Sequence, residues 1–410
     1  MEVRSTLTSD EPTASGLSGN HRSALGLLAS LFFMWGFITV INNTLLPHLR
    51  GVFDLNYTQT TLIESMWFIA YFVASIPSAK LIEAVGYKRP LVVGLLIMAV
   101  GALLMIPAAR IPSYGVVLTA LFIIASGITL LQVAANPYIA VIGPPETASA
   151  RLNLVQAFNS MGTTLAPLFG GYLILGRSAS GNAEAGAAVL SIEQRLADAQ
   201  SVQLPYFIVA VILVILAVVI ARYNLPDLGA ATRKMAAAER KGYLLWRHRN
   251  LVFGIPAIFI YLIAEIGVSN LFINFVSAPN IGNLTPAQAS HYLFLLWGGM
   301  MVGRFVGSQL MRSIPPERVL AFASIAAFTV MIITTFAQGP IAMWTLIAVG
   351  LFHSIMFPTI FTLGIRGLGP LTEEGAGLLI MTIAGGPRSG PGPNCRCVRS
   401  ATFVSRDRGL

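Results

Sequence analysis

The stretch GITLLQVAANPYIAVIGPPETASARLNLVQAFNSMGT, residues 127–163, decides the fold. It reads as two apolar helices joined by a short polar turn, Pro144 to Arg151, and its polar residues keep a helical spacing. Gln132 and Asn136 stand four apart on one face of the first helix. Asn153, Gln156, Ser160 and Thr163 follow a 3-4-3 spacing on one face of the second. An amide turned toward lipid has no hydrogen-bond partner, so both faces are expected to turn inward, toward other helices or a water-filled cavity. Amides carry donors and acceptors together, as hydroxyls do, which suits a neutral, hydroxyl-rich ligand.

The rest of the chain provides the setting for such faces. Of its 410 residues 55% are hydrophobic and only 10% charged, and apolar runs of membrane-crossing length recur. Ten full spans are predicted, at 24–47, 61–82, 90–109, 113–143, 152–175, 204–223, 251–275, 290–311, 319–337 and 341–365; an eleventh begins near Gly375 and stops short. The expected fold is an all-α polytopic membrane protein. The net charge of +9 is scattered through loops and both ends, which does not indicate a nucleic-acid partner. Cys395 and Cys397, one residue apart in the tail, support neither a disulfide framework nor a zinc site. HExxH, GxSxG and Walker A patterns are absent, so no enzyme and no cofactor is implied, and without a nucleotide motif transport would draw on an ion gradient.

With residues 1–23 read as a cytoplasmic tail, the outer segments carry only Arg50, Arg110, Arg177 and Arg195, and the other loop Lys and Arg fall inside. That bias places the N-terminus in the cytoplasm. Residues 224–250, basic and internal, separate a first bundle (24–223) from a second (251–386). The outer loop 177–203 is small and polar, and 387–410 form a polar tail. The two bundles repeat each other: Pro358 falls under Pro137, Gly364 under Gly143 and His353 under Gln132, each 221 residues on. Duplicated halves around a midplane site are a transporter arrangement.

The segment 134–163, with NNTLLPHL (42–49) and PTIFTLGIRGLG (358–369), resembles the fucose–galactose–glucose:proton symporters of the major facilitator superfamily, and most nearly their bacterial glucose/galactose transporter branch. The resemblance runs from about residue 24 to 386. It implies twelve helices in two six-helix halves, an inner-membrane location, and sugar uptake by alternating access in a monomer embedded in lipid. LIEAVGYKR (81–89) resembles the superfamily's gating motif in degenerate form, with Glu83, Gly86 and Lys88 at its usual acid, glycine and base. This chain departs from the fucose permeases at three places. It has Asn43 and Gln132 where they carry an Asp and a Glu, and Glu265 where they carry a Gln. After Gly386 the family continues through a twelfth helix, whereas this chain turns polar, so the second bundle is expected to be incomplete.

Glu265 is the one acid deep inside a predicted span, with Tyr261 and Ser269 on its face and Asn270 beside it. A charge at the bilayer centre costs roughly 2.5–3.5 kcal/mol, so it is expected to face a cavity or partner and to accept sugar hydroxyls, carry the coupling proton, or both. Glu64, in the first turn of the second span, is a second proton candidate; a helix N-terminus also stabilises an acid with no such role. Asn42, Asn43, Gln132, Asn136, Asn153, Gln156 and Asn159 are candidate sugar ligands, some of which must serve as glue between helices. The alternative role for Asn136 is to satisfy backbone freed by Pro137. His353 and Asn270 face them from the second half, and Trp35 is a candidate stacking ring for a hexose. Arg151 and Arg304, with Glu83 and Lys88, are expected to form an inner charge gate. The leading reading is import of glucose and galactose with a proton. An efflux antiporter of the same superfamily and a transport-inactive remnant or sensor are the rivals.

Overall fold

The structure is a computed structural model, and it describes residues 18–53, 57–110, 113–170, 203–226 and 245–385. The loop 177–202, the linker 227–244 and the tail 387–410 lie outside the described residues. Among the described residues there is no strand: the chain forms α1 (Ser18–Phe53), α2 (Tyr57–Val85), α3 (Lys88–Arg110), α4 (Tyr114–Val141), α5 (Ala148–Gly170) and α6 (Gln203–Arg222), then α7 (Arg249–Val276), α8 (Pro286–Leu310), α9 (Pro316–Phe336), α10 (Gly339–His353), α11 (Met356–Ile365) and α12 (Thr372–Met381). A membrane core offers backbone groups no water, and helices satisfy them within one segment. Nine helical runs in the described residues are long and apolar enough to cross a membrane. The helix α5 is not among them, because its amide and hydroxyl face dilutes an otherwise apolar sequence. Phe72, Phe253, Phe322, Phe328 and Trp344 stand on exposed faces, as lipid contact requires.

The tenth span, expected as one helix over 341–365, is broken at Ser354 and Ile355 into α10 and α11. The cause is Pro358, which has no N–H to return to the Ser354 carbonyl and whose ring crowds it. Small residues set the closest contact in the first half, where a β-carbon on Gly36 would collide with the Asn159 carbonyl and one on Gly162 with the Phe33 carbonyl. The helices α1 and α5 therefore touch backbone to backbone, as small residues allow in membranes. Gly86, at φ +78, turns the chain from α2 into α3 through the left-handed region that glycine tolerates. A large apolar core runs through both halves, from Phe32, Leu95 and Tyr138 to Ile258, Phe361 and Leu379. A smaller one, around Phe272, Leu296 and Leu346, closes the far end of the second half.

Candidate functional site

The polar faces of α4 and α5 do turn inward. Gln132, Asn136, Asn153, Gln156, Asn159 and Ser160 are all buried. Their hydrogen bonds divide them. Gln132 Nε2 donates to the Tyr71 hydroxyl of α2, and Asn159 Nδ2 donates to the Phe32 carbonyl of α1 at 2.9 Å. Asn153 Nδ2 reaches Ser149 O at 2.8 Å and, across the two halves, Thr359 Oγ1 at 3.2 Å. The remainder are unsatisfied: both polar atoms of Asn136, Asn153 Oδ1 and Gln156 Nε2 have no protein partner. Asn136 therefore does not spend its amide on backbone freed by Pro137. A buried polar atom without a partner costs about 1–3 kcal/mol, and such atoms mark places where water or a ligand completes the bonding. Trp35 is half-buried, its ring edge-on to Phe32 at 5.2 Å. The side chains of Asn42, Asn43 and Glu64 lie outside the described residues.

The second half offers ionisable groups instead. Tyr261 is buried on α7 and Glu265 is half-buried one turn further along. His353, buried at the end of α10, meets the Tyr261 ring edge-to-face at 5.8 Å. Asn270 is exposed. Arg304 of α8 is buried and spans both halves: Nε donates to Ser354 O at 3.1 Å, Nη1 to Gln156 O at 3.2 Å and to the Ser160 hydroxyl. The carbonyl it takes in its own half is the one Pro358 leaves without a donor. Glu265 lies within electrostatic reach of this guanidinium.

Among the described residues, the hydrogen bonds of Arg151 and Arg304 run to neutral oxygens. Arg151 gives its donors to neutral oxygens, Ile139 O, Ala140 O, Pro144 O and Thr147 Oγ1, and so caps the last turn of α4 and fixes the turn after it. Burial draws its pKa below the usual arginine value, with Glu146 opposing. Glu83 and Lys88 flank the Gly86 turn, and between them Tyr87 makes the contact with the second half, donating to Glu373 Oε1 of α12 at 3.0 Å. Ser149 and Thr362 hydroxyls, 2.6 Å apart, and Ser308 Oγ with Ala150 O, 2.9 Å, add further ties between the halves. Among the described residues these ties gather at the end that bears the turns 86–87, 142–147 and 366–371. A cavity of about 620 Å³ lies there, lined by Ser149 and Gly143 on one side and Met311, Thr362 and Arg366 on the other. None of the amides lines it.

Sequence reasoning missed Tyr71 as the partner of Gln132, and it missed Glu373 and Tyr87 altogether. Tyr71 could have been found by its one-turn spacing from Trp67 on α2. Nothing local marks Glu373, whose partner is 286 residues away.

Comparison with known proteins places this architecture. Residues 27–389 match the Major Facilitator Superfamily. The glucose/galactose transporter of Brucella abortus biovar 1 (strain 9-941) is 46% identical over 374 residues, covering 91% of this chain and 87% of that one. The L-fucose-proton symporter of Escherichia coli (strain K12) is 34% identical over 379 residues, 91% of this chain and 86% of that one. The crystal structure of the transporter FucP in the outward conformation superposes with a TM-score of 0.81 at 33% identity, covering 90% of each chain.

Proposed function

This chain belongs to the major facilitator superfamily, and on that premise we propose that it imports glucose and galactose together with a proton, across a bacterial inner membrane. The observation that carries the substrate is the 46% identity, over nine-tenths of the chain, to a protein named glucose/galactose transporter. The buried amides favour the same reading. Gln156 Nε2 and both polar atoms of Asn136 offer two donors and an acceptor with no protein partner, the mixture that a ring of hydroxyls matches. Glu265 and His353 are assigned to the opposite wall, Trp35 and Asn270 to its edges, and Asn42, Asn43, Gln132, Asn153 and Asn159 to the first half's share of binding or positioning.

In this reading the two halves rock about the sugar, and the proton rides on Glu265. A carboxyl group within a membrane span can hold a proton as a neutral group and release it when the facing side changes. Glu64 is proposed as an accessory proton group. With the N-terminus and the basic loops in the cytoplasm, the tied end of the structure faces inward and the opposite end outward. Arg151, Gly86, Glu83 and Lys88 shape that inner end.

Uptake of labelled glucose and galactose in a transporter-deficient strain tests the proposal, with and without an uncoupler. Accumulation of either sugar that collapses on uncoupling is the expected result. Equal labelling of strains with and without the protein overturns it, and outward movement down a proton gradient would assign an antiporter instead.

A further inference from the structure

The cavity of about 620 Å³ beside the turns 142–147 and 366–371 has no part in the sugar site, and its lining is chemically mixed. Its carboxylates are both offset. Glu317 accepts from Arg366 Nη1 at 2.6 Å, and Glu146 stands within electrostatic reach of Arg151. Arg312, exposed on the turn after α8, differs: among the described residues its guanidinium makes no hydrogen bond or ion pair. It is the cation of the lining that no carboxylate balances. The lining also carries hydroxyls. Ser149 of α5 and Thr362 of α11 are buried, 3% and 5% exposed, with their oxygens 2.6 Å apart. The Thr362 hydroxyl has two carbonyls to donate to, Pro358 O and Thr359 O, both at 3.0 Å. The shared bond therefore runs from Ser149 to Thr362, and the Ser149 oxygen keeps lone pairs for another donor. Gly367 and Gly369, at φ +79 and +53, border the same space, and a β-carbon on either would meet nothing within 4 Å.

We propose that this cavity is a regulatory site for a phosphate monoester of a polyol, with Arg312 on the phosphate and Ser149 on a hydroxyl. A guanidinium meets phosphate oxygens with paired N–H donors, and the Ser149 oxygen accepts from a ligand hydroxyl. The volume falls within the range of small-molecule pockets, about 300–1,000 Å³. Ser149 comes from the first half, Arg312 and Thr362 from the second. A ligand that touches both favours the arrangement in which they meet. Occupancy then slows the transport cycle without competing for the buried amides, none of which lines the cavity. Phosphoryl transfer to an imported hexose makes a molecule of this kind, so the site lets the product of the sugar's consumption restrain further uptake. The ligand class rests on the sugar-import reading above and on its placing this end in the cytoplasm.

Melting of the purified full-length protein in detergent, followed against rising glucose 6-phosphate, tests the site, with inorganic phosphate and glucose run in parallel. We expect glucose 6-phosphate to raise the melting temperature. Arg312→Gln should raise its half-saturating concentration about tenfold, the effect of losing a hydrogen bond between charged groups, and leave the response to glucose as it was. Ser149→Ala should raise it about threefold and leave that of inorganic phosphate unchanged. No shift with glucose 6-phosphate, or the same half-saturation in Arg312→Gln, overturns the site. Equal half-saturation by inorganic phosphate and glucose 6-phosphate overturns the polyol assignment. A second measurement stands even where Arg312→Gln does not fold. Ser313 is exposed in the lining, and Ser313→Cys is made in protein with Cys395 and Cys397 replaced by serine. Glucose 6-phosphate should slow its labelling by an impermeant maleimide in inside-out vesicles. Unslowed labelling overturns the site, and labelling confined to right-side-out vesicles overturns the cytoplasmic placement on which the ligand class rests. Neither readout requires transport, so failure of this site and failure of the sugar assignment, which is read from uptake, are distinguishable.

Discussion

The repeat-related segments 127–163 and 350–386 start from the same pattern and end as different devices. Each carries a proline near the end of a long apolar run, Pro137 and Pro358, and each proline leaves a carbonyl four residues back without its N–H donor. In the first half α4 runs on through Pro137 to Val141, and Arg151 caps its final carbonyls from beyond the turn. In the second half the position of Arg151, 221 residues on, is Thr372, which reaches only Gly369 O at 2.7 Å. The helix there breaks before Pro358, and Arg304 arrives from α8 to take the exposed Ser354 carbonyl. The difference teaches that a proline does not by itself decide whether a helix breaks. The two sites differ in where an arginine donates: to the terminal carbonyls of α4 in the first half, and to the carbonyl freed by Pro358 in the second. The same division holds one turn earlier, where Gln132 is held by a tyrosine hydroxyl and its counterpart His353 by a tyrosine ring.

The largest effect is expected at Arg304. Arg304→Gln removes donors to three buried oxygens in two halves and should lower stability by about 2–3 kcal/mol, read as a fall in melting temperature of the purified protein in detergent. Adding Pro358→Ala gives residue 358 an N–H for the Ser354 carbonyl, and should recover part of the loss. A single variant that melts with the parent would break the comparison on its second side. Arg151→Gln is expected to cost less, about 1–2 kcal/mol, since the turn it holds is partly open to water, and Pro137→Ala should not rescue it. Tyr71→Phe leaves Gln132 Nε2 without its acceptor and should cost about 1 kcal/mol in the same melt. The smallest change is His353→Gln, which makes the two segments alike at that position. It should lower stability by about 0.5–1 kcal/mol through the lost ring contact, while galactose exchange in proteoliposomes persists.

Much of this was legible in the sequence, because a membrane leaves few choices. Apolar runs of the right length gave the helices, and the successive three- and four-residue spacing of Asn153, Gln156 and Ser160 placed them on one buried face. The break at Ser354 was not legible: Pro137 and Pro358 look alike in the chain, and the arginines that separate them act from different helices. The hydrogen bonds of Arg151 and Arg304 were not legible for a related reason. Charge suggested a gate of ion pairs, whereas buried carbonyls near helix ends and prolines were the nearer acceptors. Tyr87 and Glu373 were invisible, since a contact across 286 residues leaves no local pattern.

The contrast between the buried amides of the first half and Glu265 in the second is central to the proposal that the coupling proton rides mainly on Glu265. Glu265→Gln in proteoliposomes tests this most directly, with galactose counterflow and pH-gradient-driven accumulation measured on the same preparation. We expect counterflow to persist and accumulation against the gradient to be lost. Accumulation equal to that of the parent would contradict the assignment.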